Sequence, residues 1–236
     1  MGKAIFIAGT DTDVGKTFIT AGLNYSLNKA GYKCCSFKPV QSGGIESNHS
    51  LIPGDIDFIK KITDIDEPYE KMNSYCLKEE VSPHLASELE DIQIDREKII
   101  ADFNYLNQKY DYTLVEGAGG LVVPIIRNKY YMYDLIKDLN IPVLLVARAG
   151  VGTINHTALT CEFAKLKGIK INGIIINEYK GKLCEKDNID IITKITGIPV
   201  VSVMPFIKTD KISDIKACYE KHIKLRQGDG SLVSLF

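Results

Sequence analysis

Residues Gly9 to Thr17 read GTDTDVGKT, directly after the apolar run Ala4-Ile5-Phe6-Ile7-Ala8 and ahead of a helical pattern. A strand, a loop ending in Gly-Lys-Thr and a helix N-terminus together make an anion cradle. Backbone N–H groups and the positive end of the helix point at a phosphate. Lys16 adds a mobile positive charge, and the Thr17 hydroxyl can ligate Mg²⁺. The loop departs from the standard phosphate loop: Thr10 stands where the first glycine belongs, and the glycine comes one residue earlier, at Gly9. Nucleotide binding is the reading that this context supports.

Other chemistry lies where further strands are expected to end. Phe37-Lys38-Pro39-Val40-Gln41-Ser42-Gly43 puts Lys38 and Ser42 at one rim, and Val115-Glu116-Gly117-Ala118-Gly119-Gly120 offers a carboxylate followed by glycine-rich backbone. In an open α/β sheet, ligands gather beyond these carboxyl ends. Glu116 is placed to hold Mg²⁺ or its water. Asp55, after Pro53-Gly54, is a second metal-side carboxylate or the N-cap of a helix over Ile56–Lys61, and spacing alone favours the cap. A lysine before proline at such a rim, as at Lys38, would stabilise negative charge developing on a reacting group. Ala149-Gly150-Val151-Gly152-Thr153-Ile154-Asn155-His156 opens another helix and makes a second anion site. For His84 and His156, capping or packing is favoured over general-base work.

The elements that must carry these residues alternate along the chain. Strands are expected at Lys3–Ala8, Lys33–Lys38, Tyr112–Glu116, Val143–Ala147, Gly173–Asn177 and Val200–Val203. Helical patterns run over Lys16–Ala30, Asp55–Lys61, Pro83–Glu90, Asp95–Lys109, Tyr133–Leu139, Thr153–Lys167, Asn188–Thr196 and Lys211–Lys224. Gly31, Gly168 and Gly197 follow three of them as left-handed stops. This rhythm predicts an α/β fold in one domain, 1–236: a mostly parallel sheet with helices on both faces. The Gly/Ser/Asn-rich stretch from Gln41 to Pro53 reads as a long functional loop, and the tail after Gln227 has an apolar end that docks or frays.

Bulk properties narrow the function. The 236 residues are 45% apolar and 25% charged with net charge −1, so the basic footprint of a nucleic-acid binder is missing. Apolar runs such as 141–147 are far short of a membrane span, no cleavable leader is expected, and Phe6 stands where N-myristoylation wants Ser or Thr. Six cysteines (34, 35, 76, 161, 184, 218) are scattered without C-x-x-C, which predicts reduced cytoplasmic thiols packed in the core. Of the adjacent Cys34 and Cys35, one should face the core and the other the opposite surface of their strand.

Taken together, GTDTDVGKT (9–17), KPVQSG (38–43), SPH (82–84), VEGAGG (115–120) and GTINHTALT (152–160) resemble the blocks of the dethiobiotin synthetase family, in the same order and at similar spacing. The resemblance implies a P-loop NTPase-like fold and an ATP- and Mg²⁺-dependent cyclo-ligase of biotin biosynthesis. In that reaction 7,8-diaminononanoate takes up CO₂ as a carbamate, ATP phosphorylates it, and the second amine closes the ureido ring. It implies catalytic roles for Lys38, Lys16 and Thr12, nucleotide contacts from Asp13, Val14, Gly15, Lys16, Thr17 and Phe18, and metal ligation by Thr17, Asp55 and Glu116. By the same resemblance Gly117, Ala118 and Gly119 bring backbone near the nucleotide, and Asn177 with Pro205, Phe206 and Ile207 lines the adenine pocket. Ser42 contacts the diamine. Gly150, Val151, Gly152, Thr153, Ile154 and Asn155 of one subunit of a homodimer receive the substrate's carboxylate in the other's site. Asp13 stands where glutamate is frequent in the family, and the adenine segment departs most from its pattern.

Rival readings are weaker on residues. A ParA/MinD-like ATPase acting as a switch carries a lysine where this chain has Asp11, of opposite sign. A glutamine-dependent amidoligase needs a further domain for which the chain has no room. A nucleotide-sensing module would not require Lys38, Ser42 and Glu116 at a second substrate rim.

Overall fold

The structure, a computed structural model, describes residues 2–47, 50–225 and 235–236. In chain order its elements are β1 (Lys3–Gly9), α1 (Lys16–Lys29), β2 (Cys34–Gln41), β3 (Ile45–Ser47), β4 (Ser50–Ile52), α2 (Gly54–Thr63), α3 (Tyr69–Met72), β5 (Asn73–Cys76), α4 (Pro83–Leu89), α5 (Arg96–Lys109), β6 (Tyr112–Gly120), β7 (Pro124–Ile126), β8 (Tyr130–Tyr131), α6 (Met132–Leu139), β9 (Val143–Arg148), α7 (Thr153–Leu166), β10 (Ile171–Tyr179), α8 (Leu183–Thr196), β11 (Val200–Pro205) and α9 (Ile212–His222). Seven strands pair in the order β11-β10-β9-β1-β6-β2-β5, every pair parallel.

Parallel strands covered on both sides read as unbroken apolar runs rather than alternations. Ile5, Phe6 and Ile7 are all fully buried, as are Val143, Leu145 and Ile174–Ile176. Helices α1, α2 and α9 pack together as one layer, while α5 packs on α6 and α7 on α8. Right-handed crossovers explain the division: links running from β1 towards β5 lie on one face, and those running back towards β11 lie on the other. The three glycine stops have positive φ, 92° at Gly31, 71° at Gly168 and 67° at Gly197.

All six expected strands are present, and the sheet gains a seventh, β5, at the edge beside β2. Its sequence, Asn-Ser-Tyr-Cys, carries little strand signal. The stretch from Gln41 to Pro53 holds a small antiparallel hairpin, β3–β4. Helix α8 begins at Leu183, five residues ahead of the expected Asn188. Asp55 is not the N-cap of its helix: α2 starts at Gly54 with Pro53 in the cap position, leaving the Asp55 carboxylate in the first turn.

Cys34 and Cys35 are both buried, since each face of β2 lies under a helical layer, but core packing does not hold for all six cysteines. Cys184 is exposed near the start of α8, and Cys76 and Cys218 are half-buried. Residues 226–234 of the tail lie outside the described residues. Its end docks: the Leu235 carbonyl accepts from Asn172 Nδ2 at 2.6 Å, and Phe236 meets Tyr112 edge-on at 4.8 Å.

Candidate active site

The C-terminal ends of β1, β2 and β6, with the start of α2 and the 80–83 segment, enclose a cleft of about 900 Å³. Thr12, Asp13, Gly15, Lys16, Thr17, Phe18, Lys38, Ser42, Asp55, Glu116, Ala118 and Gly119 all line it. Stretches far apart in the chain therefore converge on one rim, as expected.

The displaced glycine of the loop has a steric reason. A Cβ on Gly9 would lie 2.6 Å from the Asp11 carbonyl oxygen and 2.9 Å from Lys16 Nζ. The lysine folds back across the loop, donating to that same carbonyl at 3.0 Å. Gly15 has φ 88°, and a Cβ there would sit 2.0 Å from Asn177 Nδ2. The Lys16 ammonium is buried and pulled down to about 8, by desolvation first and then by the Lys38 charge, against the pull of Glu116, Asp55 and Asp13.

Lys38 is the electrostatic centre. Its Nζ lies 2.6 Å from Asp55 Oδ2 and 2.9 Å from Glu116 Oε1, and it donates to the Gly117 carbonyl at 3.2 Å. Burial alone would lower this ammonium, but the two carboxylates outweigh it and raise it above the ordinary lysine value. Glu116 is pushed up by burial, with Lys38 opposing and Asp55 adding to the rise. Burial would raise Asp55, but Lys38 together with the hydrogen bonds to Thr17 and Glu116 outweighs it and holds this partly solvated carboxyl down.

These groups fit a hard divalent cation. Thr17 Oγ1 donates to Glu116 Oε1 at 2.8 Å, Asp55 lies across the same lysine, and Glu116 Oε2 is buried without a hydrogen-bond partner. Hydroxyl and carboxylate oxygens are the ligand type that Mg²⁺ takes, with its remaining positions left to water and phosphate. Among the described residues no group of three or more His, Cys, Asp or Glu side chains could hold a metal. The candidate set is two carboxylates and a hydroxyl.

Other expected residues fall differently. Ser42 Oγ is buried without a partner at the cleft wall. Asn177 is buried beneath the loop, its Nδ2 donating to the Val14 carbonyl at 3.0 Å. Val14 is itself buried, and Gly117 contributes its carbonyl to Lys38. Ile207 lines a smaller apolar hollow of about 350 Å³, reached past Phe18 and Phe58, which border both spaces. Phe206 is half-exposed under Lys180 Nζ, 4.4 Å from its ring, next to Pro205 at the end of β11. The segment Gly150, Val151, Gly152, Thr153, Ile154 and Asn155 does not enter this chain's cleft, and Val151 is 96% exposed. Neither His84 nor His156 lines the cleft.

Sequence reasoning passed over three contributors. Gln41 Oε1 accepts from the Asp55 backbone N–H at 3.3 Å while its Nε2 donates to the Ser42 carbonyl at 2.7 Å, tying two walls together. Phe58, one turn beyond Asp55, closes the apolar side. Arg148 reaches the loop from β9. Only Gln41 had a signal, its place between Lys38 and Ser42.

A family model described as an AAA domain matches residues 3–210. Among relatives, the protein named ATP-dependent dethiobiotin synthetase BioD of Clostridium kluyveri is 46% identical over 220 residues, covering 92% of this chain and 91% of its own. That of Clostridium acetobutylicum is 48% identical over 213 residues, covering 89% and 88%. Solved structures share the fold at low identity. A ParA family ATPase from Chlorobium tepidum TLS aligns with a TM-score of 0.59 at 13% identity, covering 94% of this chain and 90% of that one. The septum site-determining protein MinD from Pyrococcus horikoshii OT3, complexed with Mg-ADP, gives 0.55 at 18%, covering 87% and 82%.

Proposed function

The chain belongs to the ATP-dependent dethiobiotin synthetase family, and from that premise we propose how its residues carry out the ligase reaction of biotin biosynthesis. The substrates are 7,8-diaminononanoate, CO₂ and ATP. One amine of the diamine adds to CO₂, giving a carbamate whose oxygen is a weak leaving group. That oxygen attacks the γ-phosphorus of ATP, and ADP departs. The second amine then attacks the carbamoyl carbon, phosphate leaves, and the ureido ring closes.

Lys38 is the residue for the carbamate. It is buried on the same cleft as Lys16, with carboxylates to either side, so a carbamate oxygen entering beside it meets a charge held in place. Lys16 stabilises charge on the transferring phosphoryl group, and the Thr12 hydroxyl, at the loop turn, contacts the reacting end. Thr17, Asp55 and Glu116 would hold Mg²⁺, which neutralises phosphate charge when bound. Loop backbone from Asp13 to Phe18 carries the phosphates, and Ala118 with Gly119 supplies the facing wall. Asn177 and the Pro205-Phe206-Ile207 segment border the base. Ser42, whose hydroxyl is buried and unpartnered at the wall, orients the diamine. No covalent protein intermediate is needed, so positioning supplies much of the rate.

The substrate's carboxylate tail goes to residues 150–155 of a second copy in a homodimer. This reading is supported by a helix N-terminus that stands outside its own cleft with Val151 almost fully exposed. No helix among the described residues is long and apolar enough to cross a membrane, and free thiols accord with a reducing cytoplasmic location.

The observation that carries the reading is the meeting of the phosphate lysine and a second buried lysine on one cleft with two carboxylates. Purified protein should release phosphate from ATP only when diamine, bicarbonate and Mg²⁺ are all present. Equal release without diamine would replace the synthetase reading with a simple ATPase.

A further inference from the structure

Arg148 and Asn177 stand in register at the C-terminal ends of neighbouring strands β9 and β10. Both reach sideways to the phosphate loop. Arg148 donates to the Asp13 carbonyl from Nη2 at 2.7 Å and from Nε at 3.2 Å, and Asn177 Nδ2 donates to the next carbonyl, that of Val14, at 3.0 Å. Two adjacent carbonyls of the loop are thus gripped from two adjacent strand ends.

The grip has a geometric consequence. A trans peptide is planar with its C=O and N–H pointing in opposite directions. Holding the Asp13 and Val14 carbonyls towards the sheet turns the N–H groups of Val14 and Gly15 away from those strand ends. Asp13 has φ 55°, a left-handed conformation that residues with a Cβ adopt rarely, and its carbonyl is the one the guanidinium fork holds. Glu178 Oε2 lies 3.7 Å from Arg148 Nε, the atom that also donates to the Asp13 carbonyl, and its charge helps to hold the fork there.

We infer that Arg148 is a positioning residue for nucleotide binding: it holds the phosphate loop in its strained, ligand-ready shape through the Asp13 carbonyl, with Asn177 as the second point of the clamp. The inference rests on the nucleotide-binding reading of the loop. Arg148 does not line the cleft, so its loss should weaken nucleotide binding and leave turnover at saturating ATP nearly unchanged.

The test is titration with a fluorescent ADP analogue, together with steady-state kinetics and hydrogen exchange of the 10–15 segment. R148A should bind about tenfold more weakly, the worth of one charge-assisted hydrogen bond, with kcat within threefold of wild type. Loop amides should exchange faster in the nucleotide-free variant. Glycine adopts the left-handed conformation without the side-chain penalty, so in a D13G background the R148A loss should shrink to about twofold. R148A affinity within twofold of wild type would overturn the inference. So would a tenfold loss that D13G leaves undiminished, which would mean direct contact with the ligand or general destabilisation. Wild-type protein that binds no nucleotide would instead sink the functional reading, and the clamp with it.

Discussion

Replacing Lys38 by methionine removes the ammonium that lies between Asp55 and Glu116, at 2.6 and 2.9 Å, and leaves two carboxylates in its place. Breaking a buried pair by deleting one partner costs about 3–5 kcal/mol. The Asp55 side chain is 27% exposed, so water offsets part of this and the low end, about 3 kcal/mol, applies. For a chain of this size each kcal/mol moves the melting temperature by about 2–4 °C, so a fall of about 6–12 °C is expected.

The loss should also depend on pH. Glu116 already titrates above the ordinary carboxylate value because of burial, with Lys38 pulling against that. Without Lys38 it rises further, and Asp55 loses the influence that holds it down. A carboxylate whose folded value exceeds its unfolded one favours the folded state at low pH and withdraws that support as pH rises through the folded value. The deficit of K38M should therefore be small near pH 5 and grow from about 4.5 upward, the unfolded value being about 4.3. A divalent cation should replace the missing charge: Mg²⁺ at ten times its dissociation constant returns about 1.4 kcal/mol. Thermal melts of both proteins from pH 5 to 8, with and without MgCl₂, measure all of this. A variant melting within about 2 °C of wild type at pH 8, with no slope against pH, would refute the electrostatic account of this site.

Two more expectations follow from the geometry. G9A places a methyl 2.9 Å from Lys16 Nζ and 2.6 Å from the Asp11 oxygen, so titration with a fluorescent ADP analogue should show at least a tenfold loss of affinity. Its overpacking penalty on folding is about 1–3 kcal/mol. Glu67 is buried and accepts from Lys109 at 2.6 Å and Tyr110 at 2.6 Å; burial would raise it, but those donors outweigh burial and lower it. A depressed carboxylate stabilises above its unfolded value and loses that contribution as pH falls through the folded one. E67Q should thus cost about 1–2 kcal/mol at pH 7 in urea unfolding, and the gap to wild type should close on acidification below about 4.5.

The fold was legible wherever burial on both faces produced continuous apolar runs, because a fully covered strand leaves that trace whatever its neighbours are. Strand β5 was not, since Asn73 and Ser74 are tolerated only by their place at the sheet edge beside β2. The candidate site was legible at Lys16 and Thr17, whose types are meaningful where a loop opens a helix, and at Lys38 and Glu116 towards the ends of strands, and the cleft gathers them. Spacing alone misassigned Asp55 as a cap because aspartate serves caps and metals equally, and the choice depends on where Pro53 turns the chain. Arg148 carried no motif at all. Its meaning comes from pairing register with Asn177, which requires knowing that β9 and β10 are neighbours.

The adjacent thiols of β2 have a use of their own. Cys34 shares its face with Ser36, which accepts from Asn24 of α1, whereas Cys35 looks to the opposite layer, where Glu67 and Lys109 influence it. Burial raises both thiols, so neither is reactive while its cover stays shut. Each is a silent reporter beneath a different lid. Timed alkylation followed by peptide mass analysis would reveal which helical layer peels from the sheet first, with surface-borne Cys184 as the immediate zero of the clock.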